Sequence, residues 1–197
     1  MVGSFRFVSV PLATLTASTV LLLYLYWRER RRTKRLLSSR GAASKVLFFP
    51  DVETVNIEEL SNTLECAVNS LDVCVYAISN WKLMDILIGA HRRGVAVRVI
   101  TDRDQMSINP SPVEKLRRNG IQVRRNNDSY LMHHKFAVVD GRCLVNGSLN
   151  WTQQAVHGNQ ENIVISTNSD IVGPFLDQFE VLWERFHPQN YCPTDLT

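Results

Sequence analysis

Residue types suited to phosphate chemistry crowd into one stretch of the 197-residue chain, residues 132–161. His133 and Lys135 stand two apart, Asp140 follows, and Gly147, Ser148, Asn150 and Glu161 complete the set. Side chains alternate along a strand, so His133 and Lys135 share one face while His134 takes the other. Imidazole is nucleophilic near neutral pH, and a neighbouring ammonium neutralises charge as it develops on a phosphoryl group. Gly147, Ser148 and Asn150 fall at a strand-to-helix junction. There, backbone N–H groups, a hydroxyl and an amide can meet phosphate oxygens. Glu161 precedes the next strand and could hold an imidazole N–H, fixing its tautomer and raising its basicity. Asp140 reads differently. Followed by Gly141, it has the chemistry of a tight hairpin turn, which is sufficient to explain it as structural rather than catalytic. Ser148 keeps two readings, a phosphate contact or closure of its own turn.

Written as H-x-K-x4-D-x6-G-S-x-N, the pattern resembles the phospholipase D superfamily of "HKD" phosphodiesterases, with Glu161 at that family's downstream acidic position. Outside the motif, VLFFP, RRGVAVRVITD, GIQVR, MHHKF and GSLNWT look like the Zucchini, or mitochondrial phospholipase D (mitochondrial cardiolipin hydrolase), subfamily. So do the single motif copy and the N-terminal anchor. The resemblance implies a two-step displacement in which a histidine attacks phosphorus and water then releases the phosphohistidine. One imidazole cannot be bonded to phosphorus and also protonate the leaving oxygen, so a second histidine is required. With one motif per chain, a two-fold homodimer with both His133 side chains in one cleft is expected. In it, paired Lys135 and Asn150 would clamp the phosphoryl oxygens, and no divalent metal or other cofactor is needed. The chain departs from the subfamily at residues 50–56. Many members carry a zinc-binding insertion there, but this interval is short and lacks cysteine and histidine. No zinc site is expected.

The elements that must position these residues alternate in type. Short apolar runs at 45–49, 72–78, 95–100, 121–124, 135–139, 142–146 and 162–166 read as strands. Helical spacing follows Asn56, whose pairing with Glu59 suggests a capping box. Further helices follow Ser79 or Asn80, begin at Pro110 and near Asn150, and close the chain with a stripe of Ile171, Phe175, Phe179, Leu182 and Phe186. The expected fold class is α/β, a phospholipase D-like α/β/α sandwich with a mixed, mostly parallel sheet, preceded by one transmembrane helix. Cys66, Cys74, Cys143 and Cys192 have no metal-site spacing and read as reduced thiols.

Net charge is +3 overall, but unevenly spread. Residues 28–45 hold eight basic residues against Glu29 alone, whereas residues 46–197 hold 13 basic and 18 acidic. Residues 7–27 carry no charge, and as a helix they span roughly 30 Å, enough to cross a bilayer core. Tyr24, Tyr26 and Trp27 end that stretch, and the basic run follows at once, which places the domain on the cytosolic side. The division is then a tail at 1–6, a signal anchor at 7–27, a basic linker at 28–45 and the phosphodiesterase domain at 46–197. A cleaved secretory signal is the competing reading, disfavoured by the polybasic stop. A short, moderately apolar, base-flanked anchor fits the outer mitochondrial membrane, with the endoplasmic reticulum as the alternative.

Residues 92–125 hold nine basic residues against three acidic. Arg124 and Arg125, just upstream of His133, are the candidates for a substrate groove. His134 is expected to pack behind the site, Trp151 and Trp183 to join the core, and Tyr130 and Met132 to line the cleft. His91, His157 and His187 read as surface residues. Three functions follow. One is a single-strand endoribonuclease, which in this subfamily serves piRNA processing and would bring piRNA-pathway proteins as partners. Another is a lipid phosphodiesterase cleaving cardiolipin to phosphatidic acid. The third is an inactive scaffold, which the intact His133, Lys135, Asn150 and Glu161 argue against.

Overall fold

The computed structural model describes residues 43–107, 111–127 and 129–191. The anchor expected at 7–27 lies outside them, and among the described residues no helix is long and apolar enough to cross a membrane.

Seven strands form one sheet: β1 (Ser44–Phe49), β2 (Ser70–Val75), β3 (Ala96–Thr101), β4 (Gln122–Arg125), β5 (Lys135–Val139), β6 (Cys143–Gly147) and β7 (Glu161–Ser166). Their order is β1-β7-β6-β5-β2-β3-β4. Among the described residues five α-helices accompany them: α1 (Val55–Glu65), α2 (Trp81–Arg92), α3 (Pro112–Arg118), α4 (Gln153–His157) and α5 (Ser169–Arg185). β1 begins at Ser44, ahead of the domain boundary expected at 46.

The sheet is mixed, as expected, but it is not mostly parallel. Only β2–β3 and β3–β4 run parallel. The β1–β7, β7–β6, β6–β5 and β5–β2 pairs are antiparallel. The physical reason is connection length. The two-residue Asp140-Gly141 turn folds β6 back on β5, and both turn residues have positive φ, 52° and 63°. β7 returns beside β6 after the short α4, and only the longer helical crossovers through α2 and α3 permit parallel pairing.

Strand alternation builds the two cores. Leu71, Val73, Val75, Val97, Val99, Ala137, Val139 and Val145 pack with residues of α1 through α4 on one face. Cys74, Ile100, Phe136, Val138 and Leu144 pack with α5 through Val172, Phe179, Leu182 and Trp183. Most of the expected stripe is in place, with Phe179, Leu182 and Phe186 buried and Phe175 packed against them, but Val172 is buried where Ile171 was expected and Ile171 is 43% exposed. α1 also starts differently from its expected capping box. Its N-cap Thr54 makes no side-chain cap, and the carboxylate of Asp51 instead accepts from the N–H groups of Asn56 and Ile57. α2 is capped by Asn80, whose side chain accepts from the N–H of Leu83 at 3.1 Å.

Candidate active site

The antiparallel order brings the start of β5, the end of β6 and the start of β7 to one end of the sheet. Lys135 opens β5, Gly147 closes β6 and Glu161 opens β7. A cavity of about 440 Å³ there is lined by His133, Lys135, Gly147, Ser148, Asn150 and Glu161. Asp140 lies at the far end of β5, on the order of 15 Å away at the usual rise per residue. Its carboxylate accepts from the backbone N–H groups of Val68, Asn69 and Ser70 at 2.6–3.1 Å. It thereby ties the hairpin turn to the start of β2. Replacing Asp140 with Ala strands three N–H groups and forces a residue without side-chain compensation to φ near 50°. The expected cost is about 2–4 kcal/mol, a fall in Tm of about 5–15 °C in thermal unfolding. The folded fraction should keep its turnover.

Backbone contacts fix the site loops. The N–H of Ser148 donates to the carbonyl of Asn162, and the N–H of Asn162 donates to Ser148 Oγ at 3.1 Å. Trp151, 1% exposed, holds the segment after Asn150: its N–H donates to the carbonyl of Ala77, and its carbonyl accepts from Ser79 and Asn80. Gly147 is required by close approach. A Cβ there would lie 2.0 Å from the carbonyl oxygen of Asn162.

Glu161 differs from its expected contact. Within the chain its oxygens accept from the Ser148 hydroxyl and from Asn159 Nδ2 at 3.1 Å, rather than from the His133 imidazole. Ser148 is therefore both a turn residue and a group facing the cavity. Lys135 Nζ donates to the carbonyl of His133 at 2.9 Å, so the ammonium and imidazole are joined through backbone as well as by alternation. Partial burial holds the Lys135 ammonium below its ordinary pKa, with Glu161 acting in the opposite direction. Asn150 Oδ1 is buried and has no hydrogen-bond partner among the described residues.

Tyr76 belongs to the site and was not legible in the sequence. Its ring lies 5.0 Å from the His133 ring, and Lys135 Nζ lies 5.5 Å from its centroid. It follows β2, 57 positions before His133, and only the Val75–Lys135 register brings it there. His134 does not pack behind the site. It is exposed, edge-on to Phe136 at 5.5 Å, and lines a second cavity. Desolvation, then Lys135 and His133, hold its imidazole below the ordinary value.

The groove candidates go elsewhere. β4 is three strands from β5, and the Arg124 guanidinium donates to the Trp183 carbonyl and stacks 4.0 Å from its ring. Arg125 lies 4.6 Å from the Tyr191 ring, and its N–H donates to the Tyr191 hydroxyl. Most of the other basic groups in residues 92–125 are also engaged inside the fold. Arg98 binds Asp72 and Glu180, Lys115 binds Asp85, and Arg118 binds Glu114. Among the described residues that line the cavity, the ammonium of Lys135 is the fixed positive charge.

Residues 60–183 match the family described as "Cardiolipin synthase, PLD-like domain". A Danio rerio protein named "Mitochondrial cardiolipin hydrolase" is 40% identical over 182 residues, covering 80% of this chain and 80% of that protein. A Mus musculus protein of the same name is 46% identical over 182 residues, covering 79% and 82%. Among solved structures, the phospholipase D family member Nuc from Salmonella typhimurium aligns with a TM-score of 0.67 at 22% identity. That alignment covers 75% of this chain and 97% of Nuc, a likeness of fold. Family match, close relatives and fold agree: the chain belongs to the phospholipase D superfamily and is a hydrolase of the phosphodiesterase type.

Proposed function

We propose that this protein is a membrane-anchored endoribonuclease that cleaves single-stranded RNA through a phosphohistidine on His133, with no metal ion or other cofactor. The observation that carries the chemistry is the convergence of His133, Lys135, Ser148, Asn150 and Glu161 on one cavity. In the first step the His133 imidazole attacks phosphorus and the bond to the leaving oxygen breaks. That oxygen takes a proton from His133 of a second copy in a homodimer. Water then attacks phosphorus, gives its proton to that second imidazole, and the P–N bond breaks to restore His133. Lys135 neutralises phosphoryl charge, and Ser148 and Asn150 hold the oxygens. Glu161 keeps the Ser148 hydroxyl oriented. Residues 7–27 anchor the chain in the mitochondrial outer membrane, with the catalytic domain facing the cytosol and piRNA-pathway proteins within reach.

A second reading is a cardiolipin hydrolase producing phosphatidic acid, favoured by the printed name of the relatives. The same site serves either diester. Its place in a hydrolase family removes the inactive scaffold.

The test uses the full chain in detergent with EDTA, beside His133→Ala, on single-stranded RNA and on cardiolipin vesicles. Cleavage of RNA by the dimer, lost in the variant, supports the primary reading. Cardiolipin turnover without RNA cleavage replaces it with the second. Full activity in a species that sediments as a monomer would overturn the shared cleft.

Lys135 also sets a pH limit. The lowered pKa means the ammonium loses its proton earlier than an ordinary lysine as pH rises. Turnover should therefore fall on the alkaline side at a pH below the usual lysine range. Lys135→Arg keeps its charge there, so whatever activity it retains should show no such limb in the pH–rate profile. The sign for stability is opposite. Between the lowered value and the ordinary one the unfolded chain binds more protons, so stability rises with pH in that window.

A further inference from the structure

A second cavity, of about 490 Å³, adjoins the first and shares His133 with it. Its walls include Asn126, Tyr130, Leu131, Met132, His134 and Arg185. His133, just ahead of β5, lines both cavities, whereas Lys135 lines the first and His134 the second. A diester with its phosphorus by Lys135 has the second cavity within reach of a substituent that passes His133.

We propose that the second cavity is a nucleobase subsite, in which the base next to the scissile phosphate stacks on Tyr130 with His134 on a neighbouring wall. The inference rests on the RNA reading above. Tyr130 is 83% exposed and lines this cavity. Its loop is nevertheless held from beneath by two buried polar side chains. Asn126, 2% exposed, accepts from the N–H of Arg103 through Oδ1 and donates from Nδ2 to the Tyr130 carbonyl at 2.6 Å. Asp102, 0% exposed, accepts from the N–H of Met132 at 2.7 Å. Buried groups thus fix the backbone on both sides of Leu131 while the Tyr130 ring stays in solvent. That is how a preorganised stacking platform is built.

The wall chemistry selects the occupant. Met132, Leu182 and Phe186 are 3–7% exposed and form a closed apolar floor. The accessible walls are aromatic or polar apart from Leu131. Single-stranded nucleic acid is held by aromatic and guanidinium faces because every base has a π-face. An acyl chain packs best on aliphatic wall, and Leu131 is the exposed aliphatic side chain here, the rest of the accessible apolar surface being aromatic rings and the Arg185 stem.

The test compares full-length wild type, Tyr130→Ala and Tyr130→Phe on three substrates. These are single-stranded RNA, the same RNA with abasic nucleotides flanking the cleaved bond, and bis(p-nitrophenyl) phosphate. The expected result is a fall in kcat/KM for RNA of about tenfold or more in Tyr130→Ala, at least fivefold beyond any fall on the small diester. Tyr130→Phe should recover most of it. On the abasic RNA, wild type and Tyr130→Ala should be equal, because the partner of the ring is missing. Equal RNA cleavage by wild type and Tyr130→Ala, or the same loss on abasic RNA, overturns the subsite while leaving the RNA reading intact. If wild type turns over the small diester but no RNA, the RNA reading falls and the subsite with it. If Tyr130→Ala selectively loses cardiolipin vesicle hydrolysis, the occupant is an acyl chain and the proposal is wrong.

Discussion

His133→Ala should lower turnover about 10⁴-fold or more on any phosphodiester, because it removes the imidazole proposed to form the covalent intermediate. Lys135, Ser148 and Asn150 would remain to bind phosphate, so KM should move far less than kcat. Folding should be nearly untouched. The side chain is exposed, its ring contact is with Tyr76, and its backbone carbonyl, which accepts from Lys135, survives the substitution. An exposed change of this kind falls within about 0.5 kcal/mol, or one to two degrees in Tm. Circular dichroism melts beside steady-state rates on a small diester separate the two quantities. A variant that retains a tenth of wild-type kcat would remove His133 from the nucleophile's role.

Gly147→Ala should have the largest effect for a single added carbon. The new Cβ would meet the Asn162 carbonyl oxygen at 2.0 Å, its carbon at 2.8 Å and Ile163 Cα at 2.9 Å. All three are backbone atoms of the paired strand, so no side chain can swing aside. β6 and β7 must separate at Gly147–Ile163, the pair that carries Ser148 toward Glu161. Overpacking of this severity costs about 3 kcal/mol or more, equivalent to a fall in Tm on the order of 10 °C. A displacement near 1 Å in Ser148 and Asn150 should lower kcat/KM by about 10²-fold in the molecules still folded. Gly89→Ala is the matched control. A Cβ there meets only the Arg93 side-chain nitrogen at 3.7 Å, an ordinary contact, and Gly89 sits inside α2. It should be neutral or stabilise by about 0.5–1 kcal/mol through lost unfolded-state freedom. Equal melting curves for the two variants would show that β6 and β7 are not in contact at Gly147.

The chemistry was the most legible part of the sequence, for a local reason. His133, Lys135, Gly147, Ser148, Asn150 and Glu161 lie within 29 residues, and the turn at Asp140 dictates that β5 and β6 fold back on each other. Alternation then decides which side chains share a face. Helix and strand positions were legible from periodicity almost everywhere. Features that depend on partners far along the chain were not. Tyr76 reaches the site only through the β2–β5 register. Asp51 caps α1 across a loop, a role that the nearer Asn56 and Glu59 imitate in sequence. The antiparallel β1–β7 and β2–β5 pairs join segments far apart in the chain, so no local pattern reveals their direction. Arg124 looks like a groove residue until α5 places Trp183 against it. Ile171 and Val172 are adjacent and both apolar, and the packing of α5 on the sheet decides which one is buried.

The most direct test is to trap the covalent intermediate. The full chain would be mixed with end-labelled single-stranded RNA and, separately, with a small diester, then quenched in base, where a phosphoramidate survives. Peptide mapping by mass spectrometry follows. The predicted result is one phosphoryl adduct, fragmenting to His133 rather than the adjacent His134, formed at the rate of turnover and absent from His133→Ala. Robust turnover with no adduct on His133, or an adduct on another residue that persists in His133→Ala, would contradict a histidine-borne intermediate at this site.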